Sequence, residues 1–450
     1  MDSPFALTLV GLLIIGTTVG ILIRGRTSPI VPMTLVPLVG ALVTGHGPGD
    51  IGDFFAEGLD SVMNVVVMFI FAIIFFGILQ DVGLFTPVIK ALIRATRGNV
   101  VAVTTGTAAI GIVAHLDGSG STTFLLTIPA LLPLYRALGI SRYILITIVA
   151  LAASVMNMVP WAGPLGRAGA VIAQEPSDIW LRLLPIQGVA VVLVLVVAAG
   201  LGLQQRRRIA ARGAATGDVD VEAIAADFQA QQDEERREEG YSYRTGTGWT
   251  VANVAVVLVA LVILLAGVLP PAPTFLIATT LALLINFPDS HSQSKALRRH
   301  APNALSMAGI IIAAAMFLGV LNETGMLEQI ALSLVSVLPA AVGPYLHVIV
   351  GLLGVPLDLL TSTDAYYFSV LPIVQETAAS FGVSGMSTAL ALIIGNVIGT
   401  FVSPFSPALW LALGLAGGAN MGRYIKLAFP IAWAFSAALV LVAFAFGMLG

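Results

Sequence analysis

Apolar runs long enough to cross a bilayer recur along almost the whole chain, and no other feature narrows the possible fold as far. Segments 5–23, 28–45, 61–80, 99–137, 141–173 and 181–203 are followed, after one charged stretch, by 249–269, 273–288, 302–321, 341–378, 386–415 and 427–449. A spanning helix needs about 20 apolar residues. Four segments (99–137, 141–173, 341–378 and 386–415) are therefore too long for one crossing, and each is interrupted midway by small and helix-breaking residues. Charged residues make up only 10% of the 450, against roughly 25% in a soluble domain. Over a third of them are concentrated in Arg206–Arg244. The remainder cannot coat a water-soluble globule, so bilayer is the solvent that fits. The chain has no cysteine, which excludes disulfides, thiolate metal sites and cysteine nucleophiles. No Gly-Lys pair occurs, which removes a P-loop and with it ATP-driven pumping. The run Phe5–Ile23 follows an acidic residue, Asp2, and reads as a first spanning helix rather than a signal peptide.

The two halves repeat. Gly77-Ile-Leu-Gln80-Asp81-Val-Gly83 aligns with Gly319-Val-Leu-Asn322-Glu323-Thr-Gly325 at an offset of 242. Ser119, Pro129, Gly139, Ser141 and Pro164 align with Ser362, Pro372, Gly382, Ser384 and Pro407 at 243. A constant offset that covers the punctuation, and not only the Leu and Val, points to an internal repeat. If 99–137 and 341–378 are re-entrant hairpins, each half crosses five times, and the odd number inverts the second repeat. With the N-terminus outside, 19 of the 21 Lys and Arg then fall on the cytoplasmic side, leaving Arg167 and Arg182 over. The acidic stretch with Asp50, Asp53, Glu57 and Asp60 falls outside as a loop. The expected architecture is an all-α membrane protein of about 10 transmembrane helices plus two re-entrant hairpins. The first inverted-topology repeat is 1–203, with hairpin 99–137 and broken helix 141–173. The second is 248–450, with hairpin 341–378 and broken helix 386–415. Between them, 204–247 reads as a charged cytoplasmic linker, a partly helical, solvated tether with no specific partner. Both termini are expected outside.

Chemistry concentrates at the interruptions. The first hairpin tip reads His115-Leu-Asp117-Gly-Ser119-Gly-Ser121-Thr122-Thr123, and the matching tip reads Asp358-Leu-Leu-Thr361-Ser362-Thr363-Asp364. Backbone that leaves the helix at membrane depth is satisfied only by protein or a water-filled cavity. Helix N-termini at such breaks favour an anion, whereas carboxylates and hydroxyls hold a cation. Ser119, Ser121, Thr122, Ser362 and Thr363 are therefore candidate substrate contacts, and Asp117 and Asp364 candidate metal contacts. The second pair of breaks, Asn157-Met-Val-Pro160-Trp-Ala-Gly163-Pro164 and Ser403-Pro-Phe-Ser406-Pro407, places two prolines where each removes a helical donor. Asn157, Gly163, Ser403 and Ser406 join the substrate set. Arg167 joins them as a costly intramembrane guanidinium suited to a carboxylate. His115 occupies the repeat position of Asp358, and both are candidates for carrying a proton. His46, His291 and His300 read as loop residues without a role, and Trp161 as an interfacial anchor. The stretch from Gly83 to Arg97 reads as an amphipathic interfacial helix.

The words Leu116-Asp-Gly-Ser-Gly-Ser-Thr-Thr123, Asn157-Met-Val-Pro-Trp-Ala-Gly-Pro164, Ser362-Thr-Asp-Ala-Tyr-Tyr-Phe-Ser-Val-Leu-Pro372 and Ser403-Pro-Phe-Ser-Pro407 closely resemble the citrate–divalent metal:proton symporter family of the ion transporter superfamily. The resemblance covers nearly the whole chain outside 204–247. It implies uptake of citrate complexed with a divalent metal ion of the Mg2+ or Ca2+ type, driven by protons, and no prosthetic group. It also implies an elevator-type division into a scaffold domain, commonly a homodimer, and a transport domain holding both hairpins in the cell membrane. The family pattern commonly has an acid where this chain has Ser119. The rival on the same fold is a sodium- or proton-coupled dicarboxylate or gluconate-type carrier. An intramembrane serine protease built on Ser119 and His115 would leave the repeat without a purpose. A channel would not need broken-helix repeats. The expectation is a secondary transporter, not an enzyme, with no nucleic-acid partner.

Overall fold

The computed structural model describes residues 4–24, 26–211, 221–238, 243–244 and 246–450, and among them the regular structure is entirely helical. The first half runs α1 (Pro4–Arg24), α2 (Ile30–Val43), α3 (Pro48–Asp81), α4 (Thr86–Ala95), α5 (Val100–Ala114), α6 (Gly120–Ala137), α7 (Arg142–Met156), α8 (Gly163–Ile172) and α9 (Pro176–Ala211). After α10 (Val221–Glu238) the second half runs α11 (Thr247–Leu265), α12 (Pro271–Asn286), α13 (Ser290–Glu323), α14 (Met326–Val337), α15 (Leu346–Leu352), α16 (Gly354–Asp358), α17 (Thr363–Ala365), a π turn Tyr366–Val370, α18 (Leu371–Ala379), α19 (Gly385–Val397), α20 (Pro407–Leu415) and α21 (Met421–Ala445). The elements recur in order: α3 and α13 are each 34 residues long, and α7–α8 is echoed by α19–α20.

The repeated sequence words mark repeated local structure. Gly139 and Gly382 take left-handed backbone at φ 68° and 83°, where a side chain would be strained. Two residues on, Ser141 and Ser384 cap α7 and α19 by accepting from the backbone N–H of Tyr143 and Ser387, satisfying donors that the first turn leaves open. The two 34-residue helices pack against each other at glycines. A Cβ on Gly58 would collide with the Ala315 carbonyl, and one on Gly319 with the Phe54 carbonyl, so the backbones approach as closely as helices can.

Three expectations change. Among the described residues, seven helices are long and apolar enough to cross a membrane, rather than about 10. Six further apolar helices have 10–17 residues, because the polar and proline-rich interruptions split long apolar segments that hydropathy alone runs together. The acidic stretch Asp50–Asp60 is helical, not a loop. Pro48 at the first helical position suits its lack of a donor, and the Asp50 carboxylate accepts the Gly47 N–H at 2.8 Å, so α3 starts 13 residues before its apolar run. The described part of the charged linker is docked rather than a free tether. Arg206–Arg208 continue α9, and α10 packs on α4 and α6 with Ala225 and Phe228 buried. Lys90 Nζ donates to Gln229 Oε1 at 3.3 Å, and Arg94 pairs with Glu222. Part of the linker, including 212–220, lies outside the described residues.

Candidate functional site

The first tip is a 310 turn, His115–Asp117, followed by Gly118 in left-handed backbone and by Ser119 as the cap of α6. The Asp117 carboxylate accepts the Ser119 N–H at 2.9 Å, and Ser119 Oγ accepts from Thr122 Oγ1 at 2.6 Å. The break between α7 and α8 holds this tip in place. Trp161 Nε1 donates to the Leu116 carbonyl at 2.7 Å, and Asn157 Oδ1 lies 2.9 Å from His115 Nε2. Thr123 Oγ1 lies 2.6 Å from His115 Nδ1, so both ring nitrogens are engaged. Trp161 is buried and stacks on Phe76. It is part of the site's support and not an interfacial anchor.

The second tip is held by its own break in the same manner. Ser403 Oγ donates to the Asp358 carbonyl at 2.5 Å, and Ser362 Oγ accepts the Ala365 N–H at 3.2 Å. Each break also reaches the opposite tip. Phe401, between α19 and α20, packs edge-on against His115 and Phe124 at 5.6 and 5.4 Å. Arg167, on α8, donates from Nε to Asp364 Oδ1 at 2.6 Å. The two side chains are 10% and 14% exposed, so this is a largely desolvated ion pair.

A cavity of about 480 Å3 opens beside the first tip. Three helix starts meet on its wall: Gly120–Thr122 of α6, Gly163 of α8, and Pro407–Ala408 of α20. Helix N-termini present open N–H groups and the positive end of the helix dipole, so their convergence favours an anion. Asp117 lines the same wall and supplies a carboxylate for a cation. The Arg167 guanidinium lies directly behind it, because a Cβ on Gly163 would collide with Nη1.

Of the residues proposed from sequence, Asp117, Ser119, Ser121, Thr122 and Gly163 share this wall. Arg167 and Asp364 pair with each other just beyond it. Asn157 and His115 bond to one another and lie outside the lining, as do Ser362, Thr363, Ser403 and Ser406. Asp358 is fully buried beside the Asn396 side-chain amide, and among the described residues no cation pairs with it. The hydroxyls of Tyr367 and Thr400 are buried with no hydrogen-bond partner among the described residues. The α3–α13 wall went unread in the sequence. Gln80, Asp81, Arg299, His300, Asn303 and Ser306 all line the cavity. His300, read as a loop residue, sits within α13 and bonds to Asp81. The recurring Gln80-Asp81 word is the sequence signal for this wall.

This is the build of a membrane carrier: a multi-pass helical protein with a polar, anion-favouring cavity where paired helices break. The chain belongs to the citrate transporter family, whose model matches residues 5–395. A Bacillus subtilis (strain 168) protein named Citrate transporter is 32% identical over 423 residues, 94% of both chains. The Mg(2+)/citrate complex secondary transporter of the same organism is 31% identical over 442 residues, 98% of both chains. The fold is also that of the Alcanivorax borkumensis YdaH transporter, with a TM-score of 0.58 at 15% identity over 99% of both chains. Neisseria gonorrhoeae MtrF gives 0.57 at 14% identity over 90% of this chain and 83% of its own.

Proposed function

We propose that the protein is a secondary active transporter that imports citrate as a complex with a divalent cation, coupled to protons. The observation that carries this reading is the meeting of three helix N-termini and the Asp117 carboxylate on one cavity wall. A citrate trianion with a divalent cation carries a net charge of −1, which costs far less to desolvate than the free anion. Among the described residues no three His, Asp or Glu converge on a metal position. A chelating anion that brings oxygens of its own suits a cation held beside Asp117. Arg167 and Asp364 form a charge-neutral pair that suits the empty carrier. Cargo brings both a carboxylate for Arg167 and a cation for Asp364, so it can replace that pair without leaving either charge alone.

Proton coupling is supported by Asp358. A fully buried carboxylate with no cation paired to it among the described residues is costly as an anion. It is suited to hold a proton in one state and release it in another. His115 remains the alternative carrier, held between Thr123 and Asn157. The recurrence of α3–α9 as α13–α21 supports two inverted repeats moving as scaffold and transport parts. Lys and Arg sorting supports both termini outside, and a homodimer is the assembly the resemblance implies. The test is labelled citrate uptake by reconstituted protein with each divalent metal in turn, with and without a pH gradient. Accumulation should require both the metal and an inward proton gradient. Metal-independent uptake of citrate or of a dicarboxylate would favour the sodium- or proton-coupled dicarboxylate rival.

A further inference from the structure

Trp161 lines two cavities. One is the polar cavity beside the first tip; the other, of about 380 Å3, is apolar. The apolar chamber reaches the tip from behind. Leu116 lines it, and the carbonyl of that residue accepts the Trp161 N–H that holds the tip in place. Phe76, stacked on the indole, lines it too. Farther out, α9 contributes Leu184, Gly188 and Val191, and α11 contributes Val257, Leu261 and Leu265. Each set is spaced by three or four residues, so each lies on one helical face.

The polar side chains of this chamber are spent within the protein. Trp180 Nε1 donates to Gln187 Oε1 at 2.9 Å, and Gln187 Nε2 donates to the Val155 carbonyl at 3.2 Å. Water settles in a cavity only where about two to four polar partners receive it, so an apolar occupant is favoured. The chamber also opens outward. Gly188 and Leu265 are its exposed lining residues, and a Cβ on Gly188 would meet no neighbour within 4 Å. Beside this opening the same two helices expose Val192 and Val196 on α9, and Leu258 and Val262 on α11. On a membrane protein such a face meets acyl chains, and the chamber is continuous with it.

We propose that the chamber binds one acyl chain of a bilayer lipid, entered between α9 and α11, and that the chain lies against Trp161 and Leu116 and braces the first tip. The volume lies within the roughly 300–1,000 Å3 of small-ligand pockets, and is more than twice the about 150 Å3 apolar cavity that takes up benzene. The described lining residues include no Lys, Arg or His, so nothing inside holds a headgroup; it stays outside while the chain enters. Burial of the chain supplies the drive. Its contacts fill a side of the indole that otherwise faces a void. Trp161 in turn fixes the carbonyl of Leu116, the residue before Asp117. Lipid and cargo therefore meet opposite sides of one support, and each biases the binding of the other.

The test uses the full-length protein in phosphatidylcholine liposomes doped with phosphatidylcholine that carries a photoreactive diazirine midway along one acyl chain. After illumination, mass spectrometry maps the modified residues. Met156 and Val159 line the chamber and are buried, so only a chain inside it reaches them. Val196, exposed on α9, reports lipid at the outer surface. The wild-type protein should be labelled at both places. Gly188→Leu fills the chamber and should lose the label at Met156 and Val159 while keeping it at Val196. An independent filling from α11, Leu261→Phe, should do the same. Replacing straight chains with methyl-branched phytanoyl chains, too wide to enter, should raise half-saturation for Mg2+–citrate uptake about fivefold, the small end of coupling between two sites. Gly188→Leu should show no such rise, because its own side chain braces the indole. Absence of label at Met156 and Val159 in the wild-type protein, or label kept there in both filled variants, overturns the site. Label without the rise, or an equal rise in Gly188→Leu, overturns the bracing. Labelling needs no cargo, so a labelled wild-type chain that moves no citrate overturns the citrate reading and leaves the lipid site standing.

Discussion

Asp364→Asn leaves the Arg167 guanidinium in place without its counter-charge. The native pair is a 2.6 Å charge-assisted contact between side chains 10% and 14% exposed, so water replaces little of what is lost. Removing one partner of such a buried pair costs about 3–5 kcal/mol, most of it the penalty of the charge left behind. Arg167→Gln should cost a similar amount for the converse reason. The double variant removes both charges and restores a neutral site. It should therefore be more stable than the two single changes summed predict, by at least about 2 kcal/mol. Denaturant unfolding of purified protein in detergent, followed by tryptophan fluorescence, yields the four free energies. Additivity within about 0.5 kcal/mol would refute the claim that the pair is desolvated and mutually neutralising. The double variant also separates structure from cargo handling. It should fold, reach the membrane and fail to accumulate metal-dependent citrate, because neither the carboxylate nor the cation of the cargo finds its charge. Wild-type uptake in that variant would confine the pair to a structural role.

Three further outcomes follow. Gly163→Ala should push the Arg167 guanidinium off the cavity wall and weaken citrate uptake, with little loss of expression; unchanged half-saturation would place Arg167 away from the cargo. Asp358→Asn removes a buried charge, so folding should be kept or improved while the pH dependence of uptake is lost; a wild-type pH profile would remove the carboxylate from coupling. Because the chain lacks cysteine, Gly49→Cys and Ala226→Cys, both at exposed positions, should react with an impermeant maleimide from opposite faces of the membrane. Labelling from the same face would break the charge sorting.

The sequence was legible where one residue type has one physical use. Gly139-Ile-Ser141 and Gly382-Val-Ser384 spell a left-handed turn and a helix cap, and both appear as such. The breaks at 157–162 and 398–406 followed from paired prolines and small residues. Less legible was anything set by the crossing of distant helices. Arg167 and Asp364 are 197 positions apart, and each reads alone as a ligand rather than as the other's partner. His300 sits in a polar stretch, Ser290–Asn303, that hydropathy assigns to a loop. In the fold the stretch is helical, capped by Asp289, which accepts the Ser292 N–H at 2.8 Å, and the imidazole lies on Asp81. The docked α10 was hidden because its charge pattern is equally that of a free helix, and two buried side chains, Ala225 and Phe228, decide the matter.

The reciprocal reach of Arg167 and Phe401 bears on how such a chain is inherited. Each half supplies a group that the other half's tip lacks, so a chain cut between the halves would yield fragments with an orphaned acid in one and an unfilled aromatic slot in the other. Neither half completes its own tip, so selection acts on the two together. Joined in a single polypeptide, the copies are released from having to be identical. At the offset of 243, Arg167 stands opposite Trp410 and Asp364 opposite Ser121. One copy has come to close its tip with a bond between opposite charges, and the other has left its tip standing over open space. Such divergence is open to two halves of one polypeptide and closed to two identical subunits.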